Sequence, residues 1–133
     1  AGYKGWEAFI PIKNYLIWGI ALVIIAFVLY WAFGSFFGSG KYDAFTQCLT
    51  DRGAKFYGAF WCSHCADQKR LFGKSEKFLP YIECSTPDRK GQTEECIAQD
   101  IQGYPTWIFA DGSRAGLLTL EQLSQRTNCS LPE

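Results

Sequence analysis

The chain has 133 residues with 13 basic and 13 acidic side chains, so its formal net charge at neutral pH is zero. The lack of a basic stripe and of a long acidic run argues against a nucleic-acid-binding protein and against a disordered acidic tail. This length is enough for one domain of ordinary size. The charges are unevenly spread, because no Asp, Glu, Lys or Arg lies between Asn14 and Gly40.

The first predicted element is a transmembrane helix over residues 15–37. This stretch is apolar and uncharged, and a helix of about 20 residues crosses the hydrocarbon core of a bilayer. Aromatic side chains at both ends, such as Trp18 and Trp31, suit the two membrane interfaces. A cleaved signal peptide is the alternative, but the apolar run is long for one and no small-residue cleavage motif follows. Residues 1–14 would precede the helix, and residues 38–41 would form a short linker.

The remaining residues, 42–133, alternate between helical and strand patterns in the way that is typical of an α/β domain. The pattern predicts the order α-β-α-β-α-β-β-α, with a hairpin turn at Asp111 and Gly112. Thr119 is the expected N-cap of the last helix, with Gln122 three residues later. The predicted helices cover residues 42–52, 63–72 (with Asp67, Gln68, Lys69 and Arg70 exposed), 94–100 and 119–126, and the predicted strands cover 54–60, 80–84, 106–110 and 115–118.

A Cys-Ser-His-Cys segment at residues 62–65 follows the first predicted strand and opens the second helix of this domain. The positive end of a helix dipole and its free backbone N–H groups stabilise a thiolate on the first cysteine of such a pair. We therefore predict Cys62 as the exposed nucleophile and Cys65 as the buried resolving thiol. Trp61 is expected to shield one side of the pair, and His64 to favour the Cys62 thiolate. A stabilised thiolate makes the disulfide more oxidising, which favours an oxidase or isomerase over a strong reductant.

All six cysteines follow Gly40. An even number at this density is typical of an oxidising compartment, so the domain is expected on the extracytoplasmic side of the membrane. The lysines that flank the apolar stretch do not decide its orientation. Two other interpretations of Cys62 and Cys65 stay open at this point. One is a zinc site with Cys62, His64 and Cys65 as ligands, although the sequence has no second ligand pair at comparable spacing. The other is a purely structural disulfide.

Three segments of the chain together resemble the thioredoxin-fold oxidoreductases. They are FYGAFWCSHC at residues 56–65, YIEC at 81–84 and GYPTW at 103–107, with a further cysteine at Cys96. Within that superfamily, the combination resembles the thioredoxin-like domain associated with bacterial and plant homologues of vitamin K epoxide reductase. The resemblance covers about residues 41–130 and implies a thioredoxin-like fold, in which helices flank a central sheet, over residues 42–133.

The resemblance also implies roles for single residues. Pro105 would follow a cis peptide bond and lie beside the cysteine pair, which leaves the Tyr104 backbone free to bind an extended substrate peptide. A simple turn before the third strand is the alternative. Many thioredoxins carry a buried Asp in the strand before the cysteines. Phe56 takes that position here, with Glu83 or a water molecule as the candidates to replace the acid.

The same resemblance implies two further disulfides. Cys84 and Cys96 are expected to pair, either as a structural bond or as part of a cysteine relay. In the chain-entropy model, the loop that this bond closes would stabilise the fold by roughly 3 kcal/mol. Cys48 and Cys129 would form a structural bond between the first helix of the domain and the C-terminal tail, worth roughly 4–5 kcal/mol in the same model.

These features predict a membrane-anchored thiol–disulfide oxidoreductase that oxidises or isomerises the cysteines of exported proteins. Protein thiols would be its substrates, and a quinone-reducing membrane protein similar to vitamin K epoxide reductase would reoxidise the pair. This chain carries one hydrophobic helix where such fusions carry a four-helix membrane domain. No cofactor, metal or nucleic acid is expected. The alternatives are a tethered thiol reductase, as in cytochrome c maturation, and a non-catalytic assembly subunit that keeps the fold.

Overall fold

The computed structural model describes residues 9–36 and 38–133. Residues 1–8 of the predicted N-terminal segment lie outside the described residues, as does Phe37, the last residue of the predicted transmembrane stretch. The chain divides into two compact units at Gly38, and the second unit comprises Ser39–Glu133.

The first unit contains one long helix, α1, which spans Phe9–Phe36 and has 28 residues. Its section Asn14–Phe36 has 23 residues, no charged side chain and no buried residue. Apolar side chains all round a helix are typical of a segment surrounded by lipid. By length and composition α1 could therefore cross a membrane, and it is the one helix among the described residues that meets these criteria.

The second unit is a four-stranded sheet with helices packed around it. Its helices are α2 Asp43–Asp51, α3 Ser63–Arg70, α4 Glu94–Ala98 and α5 Leu120–Thr127, its strands are β1 Lys55–Gly58, β2 Tyr81–Glu83, β3 Thr106–Ile108 and β4 Arg114–Ala115, and a 3-10 helix covers Gly73–Phe78. The strand order is β2-β1-β3-β4. β1 runs parallel to β2 and antiparallel to β3, and β4 is antiparallel to β3. A parallel pair needs a crossover connection, which α3 and the 3-10 helix supply. This arrangement confirms the predicted α/β, thioredoxin-like fold.

The core of this unit is formed by apolar side chains from the sheet and from α2 and α5. The ring of Phe56 in β1 stacks on Trp107 in β3, with 4.8 Å between the ring centroids. Leu49 of α2 and Leu123 of α5 are fully buried in the same cluster. Burying an apolar side chain of this size contributes roughly 1.5–3 kcal/mol. The cluster therefore holds both helices to the sheet that carries the site.

The prediction that Gln68 is exposed is wrong, because this side chain of α3 is completely buried. Its Nε2 donates to the carbonyl oxygen of Leu118 at 2.9 Å. Its Oε1 accepts from Trp107 Nε1 at 3.1 Å and from the backbone N–H of Leu118 at 2.9 Å. A polar side chain is stable in a core when its donors and acceptors find partners in this way. Gln68 thus ties α3 to β3 and to the segment that follows β4.

The last strand is shorter than predicted. β4 ends at Ala115, whereas the pattern predicted a strand over residues 115–118. Both backbone polar groups of Leu118 bond the side chain of Gln68, so they do not pair with a strand. The start of α5 confirms its prediction, because Thr119 and Gln122 exchange side-chain-to-backbone hydrogen bonds as a capping box.

Two disulfides lie within the second unit. Cys48 of α2 is bonded to Cys129 after α5, and Cys84 after β2 is bonded to Cys96 of α4. Both bonds match the pairs that the resemblance implies. Their sequence separations are 81 and 12 residues, so the first closes much the longer loop.

Candidate active site

Cys62 and Cys65 lie at the start of α3, just after the chain leaves β1. Cys62 is the N-cap residue of the helix and is half-buried, whereas Cys65 is only 1% exposed. Both side chains are free thiols in the structure. The positive end of the helix dipole lies at Cys62, where it favours negative charge on the sulfur. The pair therefore consists of one accessible thiol and one buried thiol, one helical turn apart.

The surroundings of Cys65 favour its protonated form. Burial is the largest cause and raises the pKa of the Cys65 thiol to about 12. A hydrogen bond with the backbone of Ala59 lowers this pKa, the neighbouring Cys62 raises it further, and the positive charge of Lys69 lowers it. Cys65 is therefore a thiol at neutral pH when the pair is reduced.

The loop before β3 lies against Cys62. The peptide bond between Tyr104 and Pro105 is cis, as the resemblance implies. The Cys62 Sγ–H group donates to the carbonyl oxygen of Tyr104 at 3.7 Å. The Tyr104 hydroxyl accepts a hydrogen bond from Gln92 Nε2 at 2.8 Å, which holds the ring in place. The accessible sulfur and the backbone of this loop are thus direct neighbours.

Trp61 forms one wall of the site, although the residue is 47% exposed. It meets the ring of Tyr104 edge to face, with 5.9 Å between centroids. Its Nε1 donates to Ser85 Oγ at 2.8 Å. The hydrogen bond and the ring contact fix the indole beside the loop that carries Tyr104.

Glu83, a candidate to replace the buried acid, ends β2, and its carboxylate accepts three hydrogen bonds. Oε1 accepts from the backbone N–H groups of Phe60 at 3.2 Å and Ser85 at 2.8 Å. Oε2 accepts from the Tyr81 hydroxyl at 2.7 Å. The carboxylate therefore connects β2 to the loop that leads into Cys62.

Gly58 allows Tyr81 and Cys65 to approach each other at the end of β1. A Cβ atom on Gly58 would lie 2.8 Å from Tyr81 Cε2 and 2.9 Å from Cys65 Sγ. Both distances are shorter than van der Waals contact, so a larger residue would displace the ring or the sulfur. Burial, followed by the hydrogen bond to Glu83, raises the pKa of Tyr81.

His64 lies at the surface with a side chain that is 69% exposed. Its Nδ1 is 4.0 Å from Asp67 Oδ2, and Asp67 also pairs with Arg70. The structure thus places His64 beside Cys62 in the helix N-terminus, with Asp67 as its acidic neighbour.

Within residues 9–36 and 38–133 there is no group of three or more His, Cys, Asp or Glu side chains that could hold a metal ion. The other four cysteines are bonded to each other, Cys48 to Cys129 and Cys84 to Cys96.

The chain is similar to a thiol-disulfide oxidoreductase. It is 42% identical over 94 residues to the thiol-disulfide oxidoreductase LTO1 of Arabidopsis thaliana, which covers 68% of this chain and 25% of that protein. It is also 30% identical over 84 residues to the thioredoxin domain-containing protein 5 homolog of Drosophila melanogaster, which covers 54% of this chain and 19% of that protein. No protein-family model matches the chain. This chain therefore spans a quarter or less of the length of these two relatives, and the similarity supports a thioredoxin-like domain.

Of the residues predicted to form the site, Cys62 lies against the Tyr104 backbone before the cis Pro105, and Trp61 lies against the Tyr104 ring. Cys65 follows one helical turn after Cys62. His64, which was also predicted there, is exposed to solvent beside Cys62.

The structure adds Ser85 and Lys69, which sequence reasoning missed. Ser85 could have been predicted from the sequence, because it comes directly after Cys84, at the end of the strand that lies beside β1. Lys69 has a weaker signal, because it lies four residues after Cys65 and hence on the same side of α3.

Proposed function

We propose that this chain is a thiol–disulfide oxidoreductase that reacts through Cys62 and Cys65. The observation that carries the proposal is an accessible thiol at the N-terminus of α3, paired with a buried thiol one turn later and lying against the Tyr104 backbone. The similarity to a plant thiol-disulfide oxidoreductase supports the same class of reaction.

In the oxidising direction, a thiolate of the substrate protein attacks the Cys62–Cys65 disulfide at Cys62. A mixed disulfide forms between the substrate and Cys62, and Cys65 leaves as a thiolate that takes up a proton. A second substrate thiolate then attacks the substrate sulfur of the mixed disulfide, and Cys62 leaves as a thiolate. The substrate gains one disulfide, and two electrons stay on the reduced cysteine pair.

The neighbouring residues support this chemistry in distinct ways. The helix N-terminus, together with the imidazole of His64, would stabilise the Cys62 thiolate. Trp61 and Tyr104 would line the path of an extended substrate peptide. Because the Tyr104 carbonyl lies 3.7 Å from Cys62 Sγ, a peptide bonded to Cys62 would run beside the backbone before Pro105.

We further propose that residues 15–37 anchor the protein in a membrane. In this scheme residues 1–14 precede the anchor, residues 38–41 are a linker and residues 42–133 form the catalytic domain. The apolar surface of α1 supports the anchor. The disulfides Cys48–Cys129 and Cys84–Cys96 support an oxidising, extracytoplasmic compartment, where the thiols of exported proteins would be the substrates. Retention of the full chain in the membrane pellet after an alkaline carbonate wash tests the anchor, and release would contradict it.

The proposed electron acceptor is a quinone-reducing membrane protein similar to vitamin K epoxide reductase. The support is the combination of the 62–65 cysteine motif with Cys84, Cys96 and the 103–107 loop in one domain. Such a partner would oxidise the reduced Cys62–Cys65 pair after each turnover. The Cys84–Cys96 pair would serve either as a structural disulfide or as a relay that passes electrons to that partner.

A trapped mixed disulfide tests the reaction. In a Cys65→Ala variant the resolving thiol is missing, so partner proteins should accumulate as adducts of Cys62 that mass spectrometry can identify. The matched control is Cys62→Ala, which should yield no adducts. Recovery of a multi-helix membrane protein would support the proposed electron acceptor. Equal adduct formation by the two variants would contradict the role of Cys62.

The reduction potential tests the direction of electron flow. An oxidant should have a potential clearly above the value of about −270 mV that is typical of thioredoxin. A measured potential near that value would favour a tethered reductase instead. If Cys62 does not react with an alkylating agent after mild reduction, the domain would be a non-catalytic subunit that keeps the fold.

A further inference from the structure

Lys69 lies on the side of α3 that faces Cys65, because the two residues are four positions apart in the helix. Its side chain is half-buried. Its Nζ lies 3.6 Å from the centroid of the Tyr81 ring in the neighbouring strand β2. An ammonium group at this distance over an aromatic face is attracted by the negative face of the ring. The contact holds a flexible side chain near the buried end of the cysteine pair.

The ring of Tyr81 is itself fixed from three sides. Its hydroxyl donates to Glu83 Oε2 at 2.7 Å, and its ring meets that of Phe56 in an edge-to-face contact with 5.3 Å between the centroids. Its Cε2 edge and Cys65 Sγ border the same space above Gly58. Tyr81 therefore positions the ammonium of Lys69 on a ring that also borders the buried sulfur.

Cys65 has to carry negative charge in a place that disfavours it. In either direction of exchange it enters or leaves a disulfide as a thiolate, yet it is 1% exposed and burial raises the pKa of its thiol to about 12. From β1 and the loop after it, Gly58 and the Ala59 backbone contribute no charge. The nearby charged or titratable side chains are Cys62 at the start of α3, Lys69 on α3, and Tyr81 and Glu83 on β2, and of these Lys69 is the cation.

We propose that Lys69, held against the ring of Tyr81, is the positive charge that stabilises the Cys65 thiolate during disulfide exchange. Tyr81 is then a positioning residue for Lys69. This inference rests on the proposed function of the cysteine pair and adds the group that sets the pH dependence of the Cys65 step. When Cys65 resolves a mixed disulfide, its thiol gives a proton to water and its sulfur bonds to Cys62. The bond from Cys62 to the substrate breaks, and the substrate sulfur takes the electron pair and leaves as a thiolate.

The experiment follows this step in the full chain in detergent, with the Cys62–Cys65 pair reduced under mild conditions. A limiting amount of the aryl disulfide dithiobis(nitrobenzoate) releases one coloured thiolate when Cys62 attacks and a second when Cys65 resolves the mixed disulfide. Stopped-flow absorbance separates the two phases, and their rates are measured between pH 6 and pH 9 at low and high salt.

We expect Lys69→Met to slow the second phase about two- to three-fold at pH 7. Loss of the positive charge lowers the thiolate fraction of Cys65, and the higher nucleophilicity of the remaining thiolate offsets part of that loss. The variant should reach the wild-type rate only at higher pH, and its second phase should lose its salt dependence. Lys69→Arg should restore both properties. Tyr81→Leu should act like Lys69→Met, whereas Tyr81→Phe should retain most of the effect of Lys69.

The matched control is Lys77→Met, since Lys77 also lies over an aromatic ring, 5.0 Å from the centroid of Phe78. It should leave the second phase unchanged. A Lys69→Met rate and salt dependence equal to those of the wild type, or a failure of Lys69→Arg to restore them, would overturn the inference. If the wild-type chain shows no first phase, the proposed function of Cys62 fails instead, so the two failures are distinguishable.

Discussion

Cys62 and Cys65 are three positions apart, but their surroundings give them different reactivity. Cys65 is buried and its pKa is raised to about 12, while Cys62 is partly accessible at the helix N-terminus. We expect iodoacetamide at pH 8 to modify Cys62 in the reduced, folded protein and to leave Cys65 unmodified, because the thiolate is the reactive form. Peptide mass spectrometry reads out both sites. In urea both should react, since unfolding removes the burial. Modification of Cys65 in the folded protein at pH 8 would contradict this prediction.

Gly58 is a second residue whose size determines the geometry of the site. Its missing Cβ leaves room for both Tyr81 Cε2 and Cys65 Sγ. We expect Gly58→Ala to lower the free energy of unfolding by about 1–3 kcal/mol through overpacking and to slow the resolving step by displacing Cys65. Urea unfolding and the thiol-exchange assay measure the two effects. Gly91→Ala is the control, because a Cβ there would only touch Thr86 at 3.6 Å. Equal stability of the two variants would show that the ring and sulfur adapt.

At the scale of elements, the position of α3 depends on the buried amide of Gln68. Replacing it by Leu keeps the volume but leaves the Trp107 indole N–H and both backbone groups of Leu118 without their partner. Each of these three unsatisfied buried groups costs about 1–3 kcal/mol, so Gln68→Leu should destabilise the domain by at least about 3 kcal/mol. The free energy of unfolding in urea measures the loss.

Gln47→Leu on α2 is the matched control for this substitution. Gln47 is exposed and bonds Asp51 at the surface, and surface substitutions usually change stability by less than about 0.5 kcal/mol. A Gln68→Leu variant as stable as Gln47→Leu would mean that α3 does not depend on this amide.

The elements also show which parts of the fold could be predicted from sequence and why. Local signals fixed the start of α5, where Thr119 and Gln122 are three residues apart, and the start of α3 at Cys62. The end of β4 and the burial of Gln68 depend on a contact between Gln68 and Leu118, which are 50 positions apart. The same holds within the site. A motif in the chain identifies Cys62 and Cys65, but the pairing of Trp61 with Ser85 arises only when β1 and β2 lie side by side.

At the scale of the whole molecule, the Cys62–Cys65 pair is supported by segments from most of the domain. The 3-10 helix is tied to the start of α2, because Ser75 Oγ accepts from the Tyr42 backbone N–H at 3.0 Å. The Cys48–Cys129 disulfide ties α2 to the C-terminal tail, and the Cys84–Cys96 disulfide adjoins Glu83 and Ser85, which contact the loop around Trp61. The two disulfides should therefore differ in effect, the first on overall stability and the second on the site.

Removing each disulfide by paired alanine substitution tests this difference. Loss of Cys48–Cys129 frees a loop with a separation of 81 residues and should cost roughly 4–5 kcal/mol, whereas loss of Cys84–Cys96 frees a separation of 12 and should cost roughly 3 kcal/mol in the chain-entropy model. Urea unfolding of both variants shows which disulfide contributes more to the free energy of unfolding. The Cys84→Ala, Cys96→Ala variant should show the larger change in the rate of Cys62 attack under native conditions, because the freed segment carries Glu83 and Ser85. A larger loss of stability without Cys84–Cys96 than without Cys48–Cys129, or equal effects of the two variants on the rate of Cys62 attack, would contradict this division of roles.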